Sequence, residues 1–341
     1  MSMVATAGCD PHLDSIALAV IDPMGRSLVS RTVPNSEPGW RQLAGVCEEM
    51  NVALVGVEGA SGYGRALSQR LTQAGMVVIE VPTRVTARER RRDGNGKTDP
   101  GDARAIARAA ARGDGSVWVD DTDLETVRLL THRREALVGT QTRDINQLRA
   151  LLAEIDPERA ASTPRLRSRR QFDQLARTRY GGDPYRETTA MLIRDLAADC
   201  RRRLDQIRHL ERQLKTVLPP VGHSLMTIHG VGLITACQLL AEIAGTGGFA
   251  TAAKLAAWAG TAPLDASSGR QQHHRLNRGG NRQANRAIHT AVITQIRHGG
   301  PAADYVARRT AEGKPEKSAI RAAKRHVTRR IWKILRAHGL T

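Results

Sequence analysis

The chain has 341 residues, with 52 Lys plus Arg against 34 Asp plus Glu, for a net charge of +18. That length is too great for one ordinary domain and suits two or three, and the charge excess points to nucleic acid as a partner. Aromatics at 3% speak against base stacking as the main contact and leave phosphate binding; the absence of a long apolar run and of a basic start followed by an apolar core predicts no membrane span, no signal peptide and a cytoplasmic protein.

Residues 4–33 carry three strand-like runs, VATAGCD, SIALAVID and SLVSRTV, separated by the polar turns PHLD and PMGR, as in a meander of hairpins. EPGWRQLAGVCEEM reads as a helix and VALVGVE as a buried strand. GYGRALSQRLTQAG reads as a helix closed by Gly75, and MVVIEV as another buried strand. The order βββαβα, with further helices after it, predicts an α/β sheet in which hairpin strands lie beside parallel ones. Asp10 ends the first strand and Glu58 the fourth, and ligands gather at such strand ends in open sheets. Asp14 and Asp22 read as turn or strand-edge acids. The four scattered cysteines, Cys9, Cys47, Cys200 and Cys237, form no CxxC pair and read as reduced, mostly buried thiols.

The stretch RRDGNGKTDPGDARAIA, residues 91–107, contains GNGKT, which has the look of a phosphate-binding loop. The GxxxxGK[ST] pattern requires glycine at position 91, where Arg91 stands, and the basic run before it is not strand-like. DPGDA instead begins a helix, with Thr98 or Asp99 as its cap and Pro100 in the first turn. Asp99 and Asp102 are three apart and share one face. They are either solvated acids favoured by the helix dipole or half of a metal site. With Asp10 and Glu58 they make four carboxylates from three elements. Such a cluster repels itself unless divalent metal lies within it, and two Mg²⁺ ions about 3.5–4 Å apart are the chemical solution. The preceding RVTARERRR and the lysine that follows supply candidate nucleic-acid contacts: Arg88, Arg90, Arg91, Arg92 and Lys97.

From about 116 to 220 the pattern is helical, with apolar positions Leu130, Leu137, Ile145, Leu148, Leu152 and Ile155. Residues 160–184 are basic and broken by Pro164, Gly181, Gly182 and Pro184; they read as a linker or a segment ordered on nucleic acid. Leu196, Cys200, Ile207, Leu210, Leu214 and Val217 then approximate a heptad seam, which suits an intramolecular helical hairpin or a dimerising coil equally. In LMTIHGVGLITACQLLAEIAG the HGVG turn between apolar helices resembles a helix-hairpin-helix, whose glycines Gly230 and Gly232 bare N–H groups to a phosphate or simply join packed helices. Ser267, Ser268 and Gly269 form a polar turn, followed by Arg270, His273, His274, Arg275, Arg278, Arg282 and Arg286. A serine among cations is a candidate nucleophile or a plain turn residue. The adjacent histidines lack partners at zinc spacing and read as phosphate contacts or loop structure. Lys324 and Arg325 belong to the basic C-terminal helix.

Five stretches in order, GCDPHLDSIALAVID, VGVEGASGYG, KTDPGDARAIA, IHGVGLITACQLLAEI and LAAWAGTAPLDASSGR…NRGGNRQANRAI, resemble the DEDD transposases of bacterial insertion sequences, a group related to the pilin-gene inverting recombinases and including members guided by a bridge RNA. The resemblance implies an α/β plus α chain in three parts. Residues 1–115 would form a RuvC-like, ribonuclease-H-type mixed sheet with Asp10, Glu58, Asp99 and Asp102 as catalytic metal ligands. Residues 116–220 would form a helical, coiled-coil arm with a basic linker, for self-association. Residues 221–341 would form a mainly helical transposase domain whose nucleophile is Ser268, with Ser267 beside it. It further implies two Mg²⁺ ions, double-stranded donor and target DNA, a structured guide RNA, and a homo-oligomer, dimer or tetramer, in which the acids of one subunit meet the serine of another. Two other readings stand beside this one. A RuvC-like junction-resolving nuclease would use the acids with water and no serine; a non-catalytic nucleic-acid binder would use neither.

Overall fold

A computed structural model describes residues 5–92, 98–163, 165–244, 246, 248–262, 264–265, 274–275 and 280–340. The chain divides into two compact units. One holds Met1–Thr122, Ile243–Gly280 and Thr328–Thr341; the other holds Asp123–Glu242 and Asn281–Val327.

The first unit begins with the expected meander, β1 (Thr6–Pro11), β2 (Ser15–Ile21) and β3 (Ser27–Pro34), paired antiparallel. After α1 (Glu37–Glu49), β4 (Leu54–Val57) runs parallel to β1; after α2 (Arg65–Gln73), β5 (Val77–Glu80) runs parallel to β4. Then come α3 (Thr83–Arg92), α4 (Asp99–Ala111) and the short β6 (Ser116–Val117), antiparallel to β5. The order β3-β2-β1-β4-β5-β6 is a mixed sheet of the ribonuclease-H type that the resemblance implied. β2 shows why SIALAVID is apolar throughout. Ile16, Leu18 and Val20 enter a core with Leu43, Cys47, Leu67 and Leu71, while Ala17 and Ala19 turn to the opposite face and meet Ala103 of α4.

Glycine sets how close α4 lies. A Cβ on Gly8 would sit 2.2 Å from the Ala103 carbonyl oxygen and 2.3 Å from the Ala107 nitrogen. Its parallel-register partner Gly56 would place a Cβ 2.8 Å from that of Ala110. The two glycines form a trough across β1 and β4, and the alanine-rich helix fills it. Backbone-to-backbone packing of this kind fixes α4, and with it Asp99 and Asp102, against the ends of β1 and β4.

The second unit is helical: α5 (Thr122–Ile155), α6 (Pro157–Ser162), α7 (Arg169–Arg177), α8 (Pro184–Val217), α9 (Pro220–Leu225) and α10 (Leu233–Ile243), which reaches the unit's boundary. α5 and α8, at 34 residues each, extend about 50 Å at 1.5 Å per residue. They pack antiparallel. Arg134 pairs with Glu211 at 2.7 Å and Arg203 with Asp144 at 2.8 Å, and Gln141 Nε2 donates to the Cys200 carbonyl at 3.1 Å. Leu148, Leu152 and Ile155 share a core with Ile193, Ala197 and Cys200, so Cys200 of the heptad seam serves the intramolecular hairpin.

The stretch 160–184 departs from the linker reading. Ser168 and Gln171 close a capping box at the start of α7, and Phe172 and Leu175 are buried in the same core as α5 and α8. The apolar spacing at 172, 175 and 176 is helical, but it lies within a run dense in arginine, and composition outweighed periodicity in the reading.

In chain order, α11 (Ala252–Trp258) and the pair β7 (Leu264–Asp265) and β8 (His274–Arg275), antiparallel to each other, return to the first unit. α12 (Arg282–His298) and α13 (Pro301–Ala311) belong to the second; α14 (Glu316–Ala337) begins there and ends in the first. All four cysteines are buried and free. Among the described residues no helix is long and apolar enough to cross a membrane.

Candidate active site

Asp10 lies near the end of β1, 9% exposed. Glu58 is the first residue beyond β4, and its N–H donates to the Cys9 carbonyl at 3.2 Å, which carries the β1–β4 pairing one step further. Adjacent strands lie roughly 5 Å apart, so the two acids are neighbours. Thr98 caps α4 by accepting from Gly101 N–H at 3.3 Å, and the first turn holds Asp99, exposed, and Asp102, 4% exposed.

The imidazole of His12 bridges two of these acids. Its Nε2 is 3.5 Å from Asp10 Oδ2 and 3.6 Å from Asp99 Oδ1. Ligand atoms of Asp10, His12 and Asp99 all lie within 4.8 Å of one another. The loop bearing His12 is held in turn: Asn35 Nδ2 donates to the His12 carbonyl at 2.7 Å, and Trp40 Nε1 to Asn35 Oδ1 at 2.7 Å. Glu58 and Asp102 stand beside this trio without joining it. The Asp102 carboxylate accepts from Arg90 at 2.5 Å.

Burial pushes the Asp10 carboxyl above its ordinary range; His12 opposes the rise, and Glu58, Asp102 and Asp99 add to it. A buried acid beside three others is costly to ionise, and a divalent cation removes that cost. The donor set, carboxylate oxygens with one imidazole, fits an ion of the Mg²⁺ or Mn²⁺ kind.

A fifth acid supports the site from behind. Glu80, the last residue of β5, accepts from Gly59 N–H at 3.0 Å and from the N–H groups of Ala60 and Ser61, and so ties down the loop after Glu58. Its Oε2 finds no partner among the described residues. Burial pushes the Glu80 carboxyl up to about 7 despite those three donors, with Glu58 adding to the rise. The folded state therefore keeps this proton where the unfolded chain, at an ordinary 4.5, has released it. Stability falls as pH rises through that window. Between pH 5 and pH 8 the wild-type protein is expected to lose roughly 2 kcal/mol relative to Glu80→Gln, a difference read by urea unfolding at the two pH values.

Residues 7–157 match the DEDD IS110 model described as a transposase, and residues 222–307 match the transposase IS116/IS110/IS902 family. Together the two matches span more than two thirds of the chain. The chain belongs to the IS110/IS116 family of transposases. The 43.6 kDa protein of insertion element IS110 from Streptomyces coelicolor is 28% identical, over 88% of this chain and 86% of that protein. The 44.8 kDa protein of insertion element IS116 from Streptomyces clavuligerus is 26% identical, over 93% and 90%. Among solved structures, Thermus thermophilus RuvC in complex with a Holliday junction substrate is similar over 33% of this chain and 99% of its own, at 17% identity and a TM-score of 0.28.

The basic residues expected to touch nucleic acid fall into several settings in this transposase. Arg88 pairs with Asp114 at 3.0 Å and with Glu89 at 3.8 Å. Arg90, two residues before the end of α3, pairs with Asp102 of α4. Arg91 is exposed and donates to the Ala87 carbonyl at 3.3 Å. Arg282 and Arg286 are exposed on α12. Lys324 departs from the expectation: it is 7% exposed and its ammonium donates to Asn285 Oδ1 at 2.6 Å, burial lowering its basicity. Arg325 is half-buried. His274 and Arg275 contribute backbone to β8. Lys97, Ser267, Ser268, Arg270, His273 and Arg278, and the side chain of Arg92, lie outside the described residues.

Sequence reasoning missed His12, Glu80 and the Arg90–Asp102 pair. PHLD read as a plain polar turn; its one signal was a histidine two residues past a strand-end acid. Asp22, by contrast, is the turn acid it was read to be. Its carboxylate accepts from Met24 and Arg26 N–H, and these bonds hold it below the usual carboxylate range.

Proposed function

We propose that this insertion-sequence transposase cuts and rejoins DNA by a two-part mechanism that uses the acid cluster and Ser268. Asp10, Glu58, Asp99 and Asp102 would hold two Mg²⁺ ions, which supply charge stabilisation at a scissile phosphate. Ser268 Oγ forms a bond to phosphorus as the bond to the leaving sugar oxygen breaks, and the leaving oxygen takes up a proton. A hydroxyl of a second DNA end then displaces the serine, which recovers its proton. Each ester bond broken is replaced by another, so no ATP is required, in keeping with the failed phosphate-loop pattern around Arg91.

The observation that carries this reading is the gathering of buried Asp10 with Glu58, Asp99 and Asp102 at the ends of the central strands β1 and β4, with the Asp10 carboxyl displaced upward by burial and further by its acidic neighbours. The net charge of +18 supports duplex donor and target DNA as partners, and a structured bridge RNA that selects the target by base pairing, leaving little sequence for the protein to read. The α5–α8 arm would bring subunits into a dimer or tetramer in the cytoplasm, the acids of one meeting Ser268 of another.

The experiment is a denaturing gel of reactions with labelled donor DNA. Wild-type protein is expected to form a covalent protein–DNA adduct, and Ser268→Ala to abolish both adduct and joined product while Ser267→Ala retains them. Cutting by Ser268→Ala at the wild-type rate, with no adduct in either protein, would replace this mechanism with a water-dependent nuclease.

A further inference from the structure

The loop after Glu58 carries an aromatic ring beside the acid cluster. Its backbone, residues 59–64, is tied down along its length. Glu80 accepts from Gly59 N–H at 3.0 Å, Trp118 Nε1 donates to Ser61 Oγ at 3.1 Å, and Asn35 Nδ2 donates to the Tyr63 carbonyl at 3.1 Å. The same Asn35 nitrogen donates to the His12 carbonyl at 2.7 Å, so the backbones of Tyr63 and His12 stand side by side. Gly64 allows the close approach: a Cβ there would lie 2.9 Å from Cγ of Pro11, the residue between Asp10 and His12.

Tyr63 is 63% exposed, and it is unlike the other tyrosines of the chain. Tyr180 donates its hydroxyl to Asp156 and Tyr185 to Glu154, while Tyr305 meets His326 edge-on and lies under the Arg308 guanidinium. The Tyr63 side chain makes no hydrogen bond and no ring contact among the described residues. Leu13, which follows His12, is exposed as well. Aromatics are only 3% of the chain, and here one is held out to water on a backbone that is already ordered. A ligand that covers the ring therefore loses little further loop freedom on binding. The neighbouring acids would hold a phosphate of the strand being cut, and the group that a nucleic acid places next to its phosphates is a base. A base presents a flat π-face to a tyrosine ring. Inside a duplex both faces are covered by neighbouring pairs, so only a base drawn out of the stack can meet one.

We infer that Tyr63 is a substrate-positioning residue: its ring stacks on one unstacked base of the DNA beside the phosphate at the acid cluster. This rests on the reading that the acid cluster cuts DNA, and it adds that the strand is locally opened there. The contact tolerates any base, because every base has a π-face.

The full-length protein is titrated, with Ca²⁺ in place of Mg²⁺, against two DNA duplexes of equal length. One is fully paired; the other has a short unpaired stretch containing 2-aminopurine, whose emission falls when it stacks. Wild-type protein is expected to prefer the opened duplex and to quench the 2-aminopurine. Tyr63→Ala should weaken binding to the opened duplex about tenfold, leave the paired duplex within about twofold, and lose the quenching. Tyr63→Phe keeps the ring and should restore both. The Asn35 bond uses the Tyr63 carbonyl, so both variants keep it, and melting curves check that they fold. Equal weakening on the two duplexes, or quenching that survives in Tyr63→Ala, overturns the stacking role alone. So does wild-type binding that Tyr63→Ala leaves unchanged on both. A wild-type protein that binds neither duplex overturns the functional reading and the stacking role with it.

Discussion

Replacing Asp10 by Asn is expected to cut strand joining at least about a thousandfold while raising the melting temperature of the metal-free protein. The first effect follows from the site. Loss of one carboxylate that would hold the metal would forfeit charge stabilisation worth several kcal/mol, and about 4 kcal/mol corresponds to a factor of 10³. The second follows from the displaced Asp10 carboxyl. A group whose folded value lies above its ordinary 3.8 contributes most stability below that value and loses it as pH rises through the folded one. Above the folded value the wild-type protein therefore carries a carboxylate disfavoured by burial and by its acidic neighbours, and asparagine removes that cost at nearly the same size. Opposite signs for activity and stability separate a working acid from a structural one. Joining assays and melting curves at pH 8 in chelator test both; a lower melting temperature in the variant would mean that Asp10 is a structural acceptor and not a strained ligand.

The second large effect lies away from the acids. Gly8→Val is expected to destabilise the first unit by more than about 3 kcal/mol and to abolish joining. Local propensity alone argues the reverse, since valine is favoured over glycine in a strand by up to about 1 kcal/mol. Sterics decide the sign. The added Cβ would stand 2.2 Å from a carbonyl oxygen and 2.3 Å from a backbone nitrogen of α4, and neither can rotate away. Either α4 lifts off β1, carrying Asp99 and Asp102 from Asp10, or the unit fails to close. Urea unfolding of the variant, with joining measured under conditions where it remains folded, resolves which.

The sheet was legible because its strands advertise themselves. SIALAVID is apolar on both faces, and VALVGVE and MVVIEV are short buried runs between helices of clear period. Asp10, Glu58, Asp99 and Asp102 were legible because strand ends and a capped helix start are positions that sequence marks. His12 was not, because its role depends on a turn that folds its ring back over Asp10, and turn geometry is poorly encoded by residue type. Glu80 looked like the end of a strand; what sets it apart is the loop of three N–H groups it receives from residues some twenty positions earlier. Arginine content misled twice. It concealed the apolar stripe of α7, and it suggested exposed cations at Arg90 and Lys324, where the fold directs one to an acid and buries the other.

The Arg90–Asp102 contact has a consequence for how the centre would take up metal. A guanidinium rests on the most deeply enclosed of the four carboxylates, so the protein supplies that acid with a counter-charge of its own. Under the proposed chemistry, Asp102 would exchange one cation for another on holding a metal, and Arg90 of α3 would be the side chain released.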